Sequence, residues 1–309
     1  MEQRRIIDFH AHVGDIFHEN KNITFKTNVR SFKYVDPFLA LEESGYNRPL
    51  IVEDEEQHAV LIRAGQYRVW ECTLDRLSRD LNEAQIDYIC LLPIVPNTTF
   101  EEYLAASRLE KKIIPFTSAD FTLTEGEMVA KLKRDIERGA RGLKLHPILQ
   151  NISLSDPRTH AAVEVLGEAG LPITSHCGIN EYYLPDSPYR KETNAEFGDV
   201  KYVIELCHTF PDYNIVAAHG GGTVGGEMEI LARETRGLKN VYTDTSFRNA
   251  EYMVKAVELF GEDRVVFGTD YPFASIKYSL LECKKAFAGE PEVAAKVFFK
   301  NSARLLQWT

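Results

Sequence analysis

The feature that most limits the fold is a short apolar run, repeated eight times, that ends in polar or ionisable residues. The runs fall at residues 5–12, 86–93, 112–119, 141–147, 171–178, 213–220, 240–246 and 265–272. They are rich in Ile, Val and Leu, and several stop at Gly or Pro, the pattern of strands buried on both faces in a parallel sheet. Amphipathic stretches between them read as helices, at 73–84, 125–138, 158–169, 199–209 and 249–260. Ser155-Asp156-Pro157 reads as an N-cap with Pro opening a helix, and Gly139 and Gly170 as helix stops. This alternation predicts an α/β fold, a closed (β/α)8 TIM barrel, with a doubly wound open sheet as the competitor. The barrel is preferred because the ionisable strand ends would then meet on one rim, whereas an open sheet would string them along an edge.

Residues 14–70 break the repeat. Polar, aromatic and irregular, with Phe17, Phe25, Phe32, Tyr34 and Phe38, they read as a lid-like insertion after the first strand. Residues 179–198 read as a mouth loop after the fifth strand. No linker or low-complexity segment divides the chain, so residues 1–309 read as one domain.

With 44% hydrophobic and 27% charged residues, the chain can bury a sizeable core and does not read as disordered. The net charge of -10 argues against a nucleic-acid partner and, weakly, against anionic membrane surfaces. No run of about 18 apolar residues suggests a membrane span. Met-Glu-Gln-Arg-Arg runs directly into Ile6 without a signal-like apolar region, so a cytoplasmic location is expected. Five Cys, with no CxxC pair, do not read as a disulfide framework. The expected partner is a small-molecule substrate, and a homodimer would be ordinary.

His10 and His12 stand two apart at the end of the first run, a spacing that puts both imidazoles on one face of a strand. Alone, they read equally well as polar strand-end residues. His176 ends the fifth run, His219 the sixth and Asp270 the eighth. Four His and one Asp at strand ends are hard to explain by packing, and active sites of this fold lie on that face. They point to a metal site.

At this point the sequence resembles the amidohydrolase superfamily, and within it the amidohydrolase-2 branch of hydrolases and decarboxylases. The matching pieces are Ile7-Asp8-Phe9-His10-Ala11-His12, Gly142-Leu143-Lys144-Leu145-His146-Pro147, Ile173-Thr174-Ser175-His176 and Ala218-His219-Gly220-Gly221. They continue with Phe267-Gly268-Thr269-Asp270-Tyr271-Pro272 and Asn301-Ser302-Ala303-Arg304-Leu305-Leu306. The resemblance implies one divalent ion held by His10, His12, His176 and Asp270. It implies Asp270 as the acceptor of a proton from bound water, and His219 as a group that polarises substrate or assists water. A divalent ion lowers the pKa of bound water to about 7, and a nearby carboxylate can take the proton. Three imidazoles and a carboxylate suit zinc best.

Lys144 either bridges two metals as a carboxylated side chain, contacts an anionic substrate, or pairs with an acid. His146, two residues on, shares its face and either touches substrate or is structural. Arg248 either holds a substrate carboxylate or forms an ion pair, and Asp8 reads as orienting the first-strand pair or a helix amide. Gly220-Gly221-Gly222 reads as a close approach to substrate or as a turn. His18, His58, His160 and His208 lack strand-end context, and Cys177 should point away from His176. The leading functional expectation is a metal-dependent hydrolase of an amide, lactone or other ester. The alternative is a metal-dependent decarboxylase of an aromatic or unsaturated acid, and a non-catalytic binding barrel is remote.

Overall fold

The structure, a computed structural model, describes residues 5–27, 31–47, 53–222 and 225–308. Its strands are β1 (Ile7–Ala11), β2 (Tyr88–Leu91), β3 (Ile113–Pro115), β4 (Thr117–Ser118), β5 (Leu143–Leu145), β6 (Ile173–Ser175), β7 (Ile215–Ala217), β8 (Val241–Asp244) and β9 (Val265–Val266). Every pairing is parallel and joins strands adjacent in sequence, except that β3 and β4 do not pair with each other.

The eight apolar runs supply nine strand segments because the third run changes partner midway. β3 pairs with β2 and β4 with β5. At the junction the Phe116 amide donates to Leu91 O at 3.0 Å and the Thr117 amide to Gly142 O at 2.9 Å. The last run meets the first in the same way. Phe9 N donates to Phe267 O at 2.8 Å, Asp270 N to His10 O at 2.7 Å and His12 N to Tyr271 O at 2.7 Å. The sheet therefore closes into a (β/α)8 barrel, and the open-sheet alternative falls.

β1 carries one irregularity. Asp8 pairs with Ile89 and Ala11 with Leu91, so three steps on β1 answer two on β2. Such a bulge re-aims side chains. Here Phe9 packs edge-on against Phe116 at 5.6 Å, while His10 and His12 both reach the site above. Phe9, Cys90, Phe116, Val216 and Val266 join strands from opposite sides of the ring, with Leu306 of the C-terminal segment in the same cluster. They fill the barrel beneath the site. The larger apolar cluster lies between strands and surrounding helices.

The helices start where the sequence provides caps. Thr124 and Glu127 form a reciprocal capping box at Glu125–Glu137, and Asp156 caps Pro157–Glu168 through the Arg158 amide. Gly170 follows the latter helix at φ +70°, a conformation suited to glycine.

Residues 14–70 are less irregular than their sequence suggests. They hold α1 (Pro37–Glu43) and a 17-residue helix, α2 (Glu55–Glu71), capped by Asp54. The buried face of α2 mixes Ile62, Gly65 and Val69 with Arg68, which weakens the apolar period that would announce a helix. Arg68 instead ties the insertion together. It contacts Asp36 at 2.8 Å and Glu42 at 2.7 Å, and donates to Phe273 O at 2.7 Å beyond β9. The mouth loop is tied to the insertion by Gln66 Nε2 donating to Tyr182 O at 3.1 Å and by the Tyr183 hydroxyl donating to Phe17 O at 2.5 Å. Among the described residues no helix is long and apolar enough to cross a membrane, and all five Cys are buried and unbridged.

Candidate metal centre

His10, His12 and Asp270 converge at the barrel mouth, each offering a ligand atom within 4.8 Å of the others. The His12 Nδ1–H donates to Leu92 O at 2.7 Å, and the His10 Nδ1–H donates to Asp244 Oδ2 at 2.8 Å. Both partners are acceptors only, so each neutral ring keeps a lone pair on Nε2; that of His10 also accepts from Lys144 Nζ at 2.9 Å. Those lone pairs face Asp270 Oδ1 at 3.2 Å from His12 and 3.3 Å from His10. Lone pairs turned on a carboxylate oxygen repel one another unless cations lie among them; the Lys144 ammonium serves the His10 side, and the His12 Nε2–Asp270 pair is left for a metal ion to bridge. Second nitrogens held by a carbonyl and a carboxylate are the usual support for metal-binding imidazoles. The donor set fits a divalent ion.

Electrostatics point the same way. Burial, then the Lys144 ammonium, keeps His10 well below the ordinary imidazole value; burial also lowers His12. Burial alone would raise the Asp270 carboxyl, but His10, His12 and Lys144 outweigh it and hold it below the usual carboxylate value. Asp270 has φ 61° and His219 φ 59°, a left-handed backbone that non-glycine residues seldom adopt and that recurs at functional sites.

Asp244, at the end of β8, is the hub of the site, a role its sequence position does not announce. Besides His10, it accepts the His219 amide at 3.1 Å, the Ser246 amide at 3.1 Å and the Ser246 hydroxyl at 2.5 Å. Three of these bonds fall on Oδ1 and the one from His10 on Oδ2, so Asp244 joins the second convergent group, His10 with His219 and Asp244, through hydrogen bonds. Asp8 does not orient an imidazole. Its Oδ1 accepts the His10 and Thr269 amides at 3.2 and 3.0 Å, and its Oδ2 accepts the Thr269 hydroxyl at 2.7 Å. It locks β1 to the segment carrying Asp270. With its proton given to Asp244, the Ser246 hydroxyl accepts the His219 Nδ1–H at 2.6 Å. His219 therefore turns a third Nε2 lone pair into the site, toward His176 Nδ1.

His176 stands outside the compact His10–His12–Asp270 group. Its Nδ1 lies 3.2 Å from His219 Nε2 and its Nε2 3.0 Å from the Tyr182 hydroxyl. Lys144 is 1% exposed and donates from Nζ to His10 Nε2 at 2.9 Å. Burial brings it down to about 8, with Asp270 and Asp244 opposing. Arg248 donates to His219 O at 2.5 Å and to Gly222 O, and stacks over Tyr252 at 4.0 Å. Its guanidinium meets carbonyls and a ring where an acid partner was one expectation.

A cavity of about 850 Å³ opens above these residues. Phe17, Phe38, Tyr182, Phe247 and Phe273 wall it, and Phe273 stands edge-on to His12 at 6.4 Å. Of the insertion aromatics, Phe17, Phe38 and Tyr46 reach the cavity, whereas Phe25 and Phe32 are 41% exposed. His58, which lacks strand-end context, also borders it. Its signal, a lone His within α2, resembles any surface helix position. Cys177 is buried outside the cavity lining.

A closed barrel carrying a buried His/His/Asp centre at the C-terminal strand ends defines a metal-dependent (β/α)8-barrel enzyme. A family model described as amidohydrolase, of the second amidohydrolase type, matches residues 7–308, and the chain belongs to that family. No curated protein matches the sequence. Solved structures align along almost the whole chain. The 5-carboxyvanillate decarboxylase of Sphingomonas paucimobilis is 16% identical, covering 99% of this chain and 100% of that one, with TM-score 0.64. A dihydroxybenzoic acid decarboxylase of a Polaromonas species, with bound manganese and the inhibitor 2-nitroresorcinol, is 14% identical over 99% of this chain and 97% of that one, with TM-score 0.65. A probable 2-pyrone-4,6-dicarboxylic acid hydrolase of Acinetobacter baumannii is 13% identical over 98% and 99%, with TM-score 0.60. These likenesses show the fold.

Proposed function

We propose that the protein is a metal-dependent decarboxylase of an aromatic carboxylic acid that carries an oxygen beside the carboxylate. One divalent ion is held by His10, His12, Asp270 and, as fourth donor, His176. The observation that carries this reading is the box of rings, Phe17, Phe38, Phe247 and Phe273, set over the buried lone-pair cage with Lys144 and Arg248 at its border. Ring walls hold an aromatic plane by stacking and edge contacts and keep water off the bond that breaks. Two of the similar solved structures carry the names of aromatic-acid decarboxylases, which supports the same choice.

When bound, the ion supplies Lewis acidity toward a substrate oxygen. Zinc is the ion favoured by three imidazoles and a carboxylate, with manganese the alternative suggested by the Polaromonas structure. Lys144 and Arg248 are the cations available to orient the acid group, and His146 borders the same cavity. His219, with its Nε2 lone pair fixed by Ser246, accepts a hydrogen bond or a proton from a substrate hydroxyl. In the reaction the bond from ring carbon to carboxyl carbon breaks and carbon dioxide leaves. The electron pair stays on the ring carbon, which takes up a proton. Lys144, with its amine near 8, is a buried proton source beside the cage.

Hydrolysis of a lactone, ester or amide is the second reading, with Asp270 as base. The ionised Asp270 beside the lone pairs favours it, as does the similarity to the 2-pyrone-4,6-dicarboxylic acid hydrolase. Carbon dioxide release from a panel of hydroxybenzoic acids, run beside a panel of lactones and aryl esters, separates the two. Release from at least one hydroxybenzoate is expected. Turnover of lactones or esters with no carbon dioxide assigns the second reading instead.

A further inference from the structure

We propose that His146 is the pocket's fixed hydrogen-bond donor, presenting a neutral Nε2–H to a substrate oxygen, whereas the Nε2 atoms of His10, His12 and His219 serve as acceptors or metal donors. The Leu149 amide donates to His146 Nδ1 at 3.3 Å. An accepting Nδ1 leaves the single proton of a neutral imidazole on Nε2. Among the described residues no protein atom accepts from that Nε2, and the side chain borders the cavity that holds His10, His12 and Asp270.

The residue is held through both its backbone and its ring. The His146 amide donates to Gln150 Oε1 at 2.8 Å, and the Gln150 amide returns to His146 O at 2.9 Å. Gln150 Nε2 is anchored on Ser118 Oγ at 3.1 Å and Ala119 O at 2.8 Å. One face of the imidazole lies flat on His176, with centroids 4.2 Å apart and planes 4° apart. A donor fixed before substrate arrives costs no reorganisation when charge builds on the oxygen it meets. The matching ligand chemistry is an anionic or carbonyl oxygen close to the caged carboxyl group. This inference rests on the aromatic-acid reading only for the identity of that oxygen.

Nitrogen-15 NMR of zinc-loaded protein with labelled histidine tests the tautomer directly. His146 should show an unprotonated Nδ1 and a protonated Nε2. Salicylate binding tests the contact: His146→Gln, whose amide keeps a donor in place, should bind within about threefold of the unmodified protein, and His146→Leu should bind about tenfold or more weakly. A proton on Nδ1, or equal affinities for the Gln and Leu variants, overturns the inference. Failure of the decarboxylase reading looks different: no carbon dioxide from any aromatic acid, with the Nε2–H tautomer and the Gln–Leu difference still present.

Discussion

An imidazole whose Nδ1–H is committed to an acceptor can offer only its Nε2 lone pair, and that commitment decides what each site histidine can do. For His10 the committed acceptor is Asp244, 2.8 Å away. Asp244→Asn keeps the shape but turns an amide group toward His10 Nδ1, which favours the tautomer with the proton on Nε2 and removes the lone pair. Divalent-ion affinity should fall about 10- to 100-fold, measured by competition against a chromogenic chelator. Affinity within twofold of the unmodified protein would show that Asp244 does not set the tautomer. Much of this site was legible in the sequence, because His10, His12, His219 and Asp270 each end an apolar run and strand ends share a rim. The role of Asp244 was not. It stands in a polar Thr-Asp-Thr-Ser stretch whose partners come from β1 and from the His219 turn, residues far away in sequence. Asp8 attracted the orienting role by proximity, yet an i, i+2 neighbour on a strand meets backbone amides here and not the ring.

At the level of elements, the barrel strands and the place of the insertion were readable in the sequence, and the helices inside the insertion were not. α2 packs through a face that includes the charged Arg68, so apolar periodicity understates it. Arg68 is 8% exposed and Glu42 3% exposed, and the pair also takes in Asp36 and the Ser275 amide. Removing one partner of a buried pair leaves an uncompensated charge. Arg68→Ala should therefore destabilise the protein by about 3–5 kcal/mol in urea unfolding, and adding Glu42→Gln should recover part of the loss. A change under about 0.5 kcal/mol would place the pair among surface contacts. The division of the third run into β3 and β4 was also invisible in sequence, because hydrogen-bond partner choice depends on the stagger of a closed barrel and not on residue type.

Across the whole molecule, the concentration of buried histidines makes the metal-free protein acid-sensitive. Burial first of all keeps His10, His12, His146, His176 and His219 below the ordinary imidazole value of 6.5. These groups stay neutral in the folded chain and take up protons once unfolded below that pH, so stability falls as pH falls. Asp8 acts oppositely. Burial raises it to about 7, so the folded chain holds one proton there that the unfolded chain has released. Below pH 6.5 the five imidazoles outnumber Asp8, so the unfolded state should bind more protons than the folded state from these groups. Urea midpoints of metal-free protein should drop steeply from pH 7 to pH 5; a flat profile would mean the histidines are charged or solvated in the folded state. Lys144 acts at the other end: its folded value of about 8 lies below the ordinary 10.5, so stability should rise as pH climbs between the two.

A cation at the convergence of His10, His12 and Asp270 joins the sequence pattern, the lone-pair geometry and the proposed chemistry. Elemental analysis of untagged, purified protein measures it most directly, as atoms of each divalent metal per chain. The account predicts one equivalent, chiefly zinc or manganese, lost in His12→Ala. Less than about a tenth of an equivalent after incubation with either ion would contradict it, as would two equivalents, which would instead make Lys144 a bridging ligand.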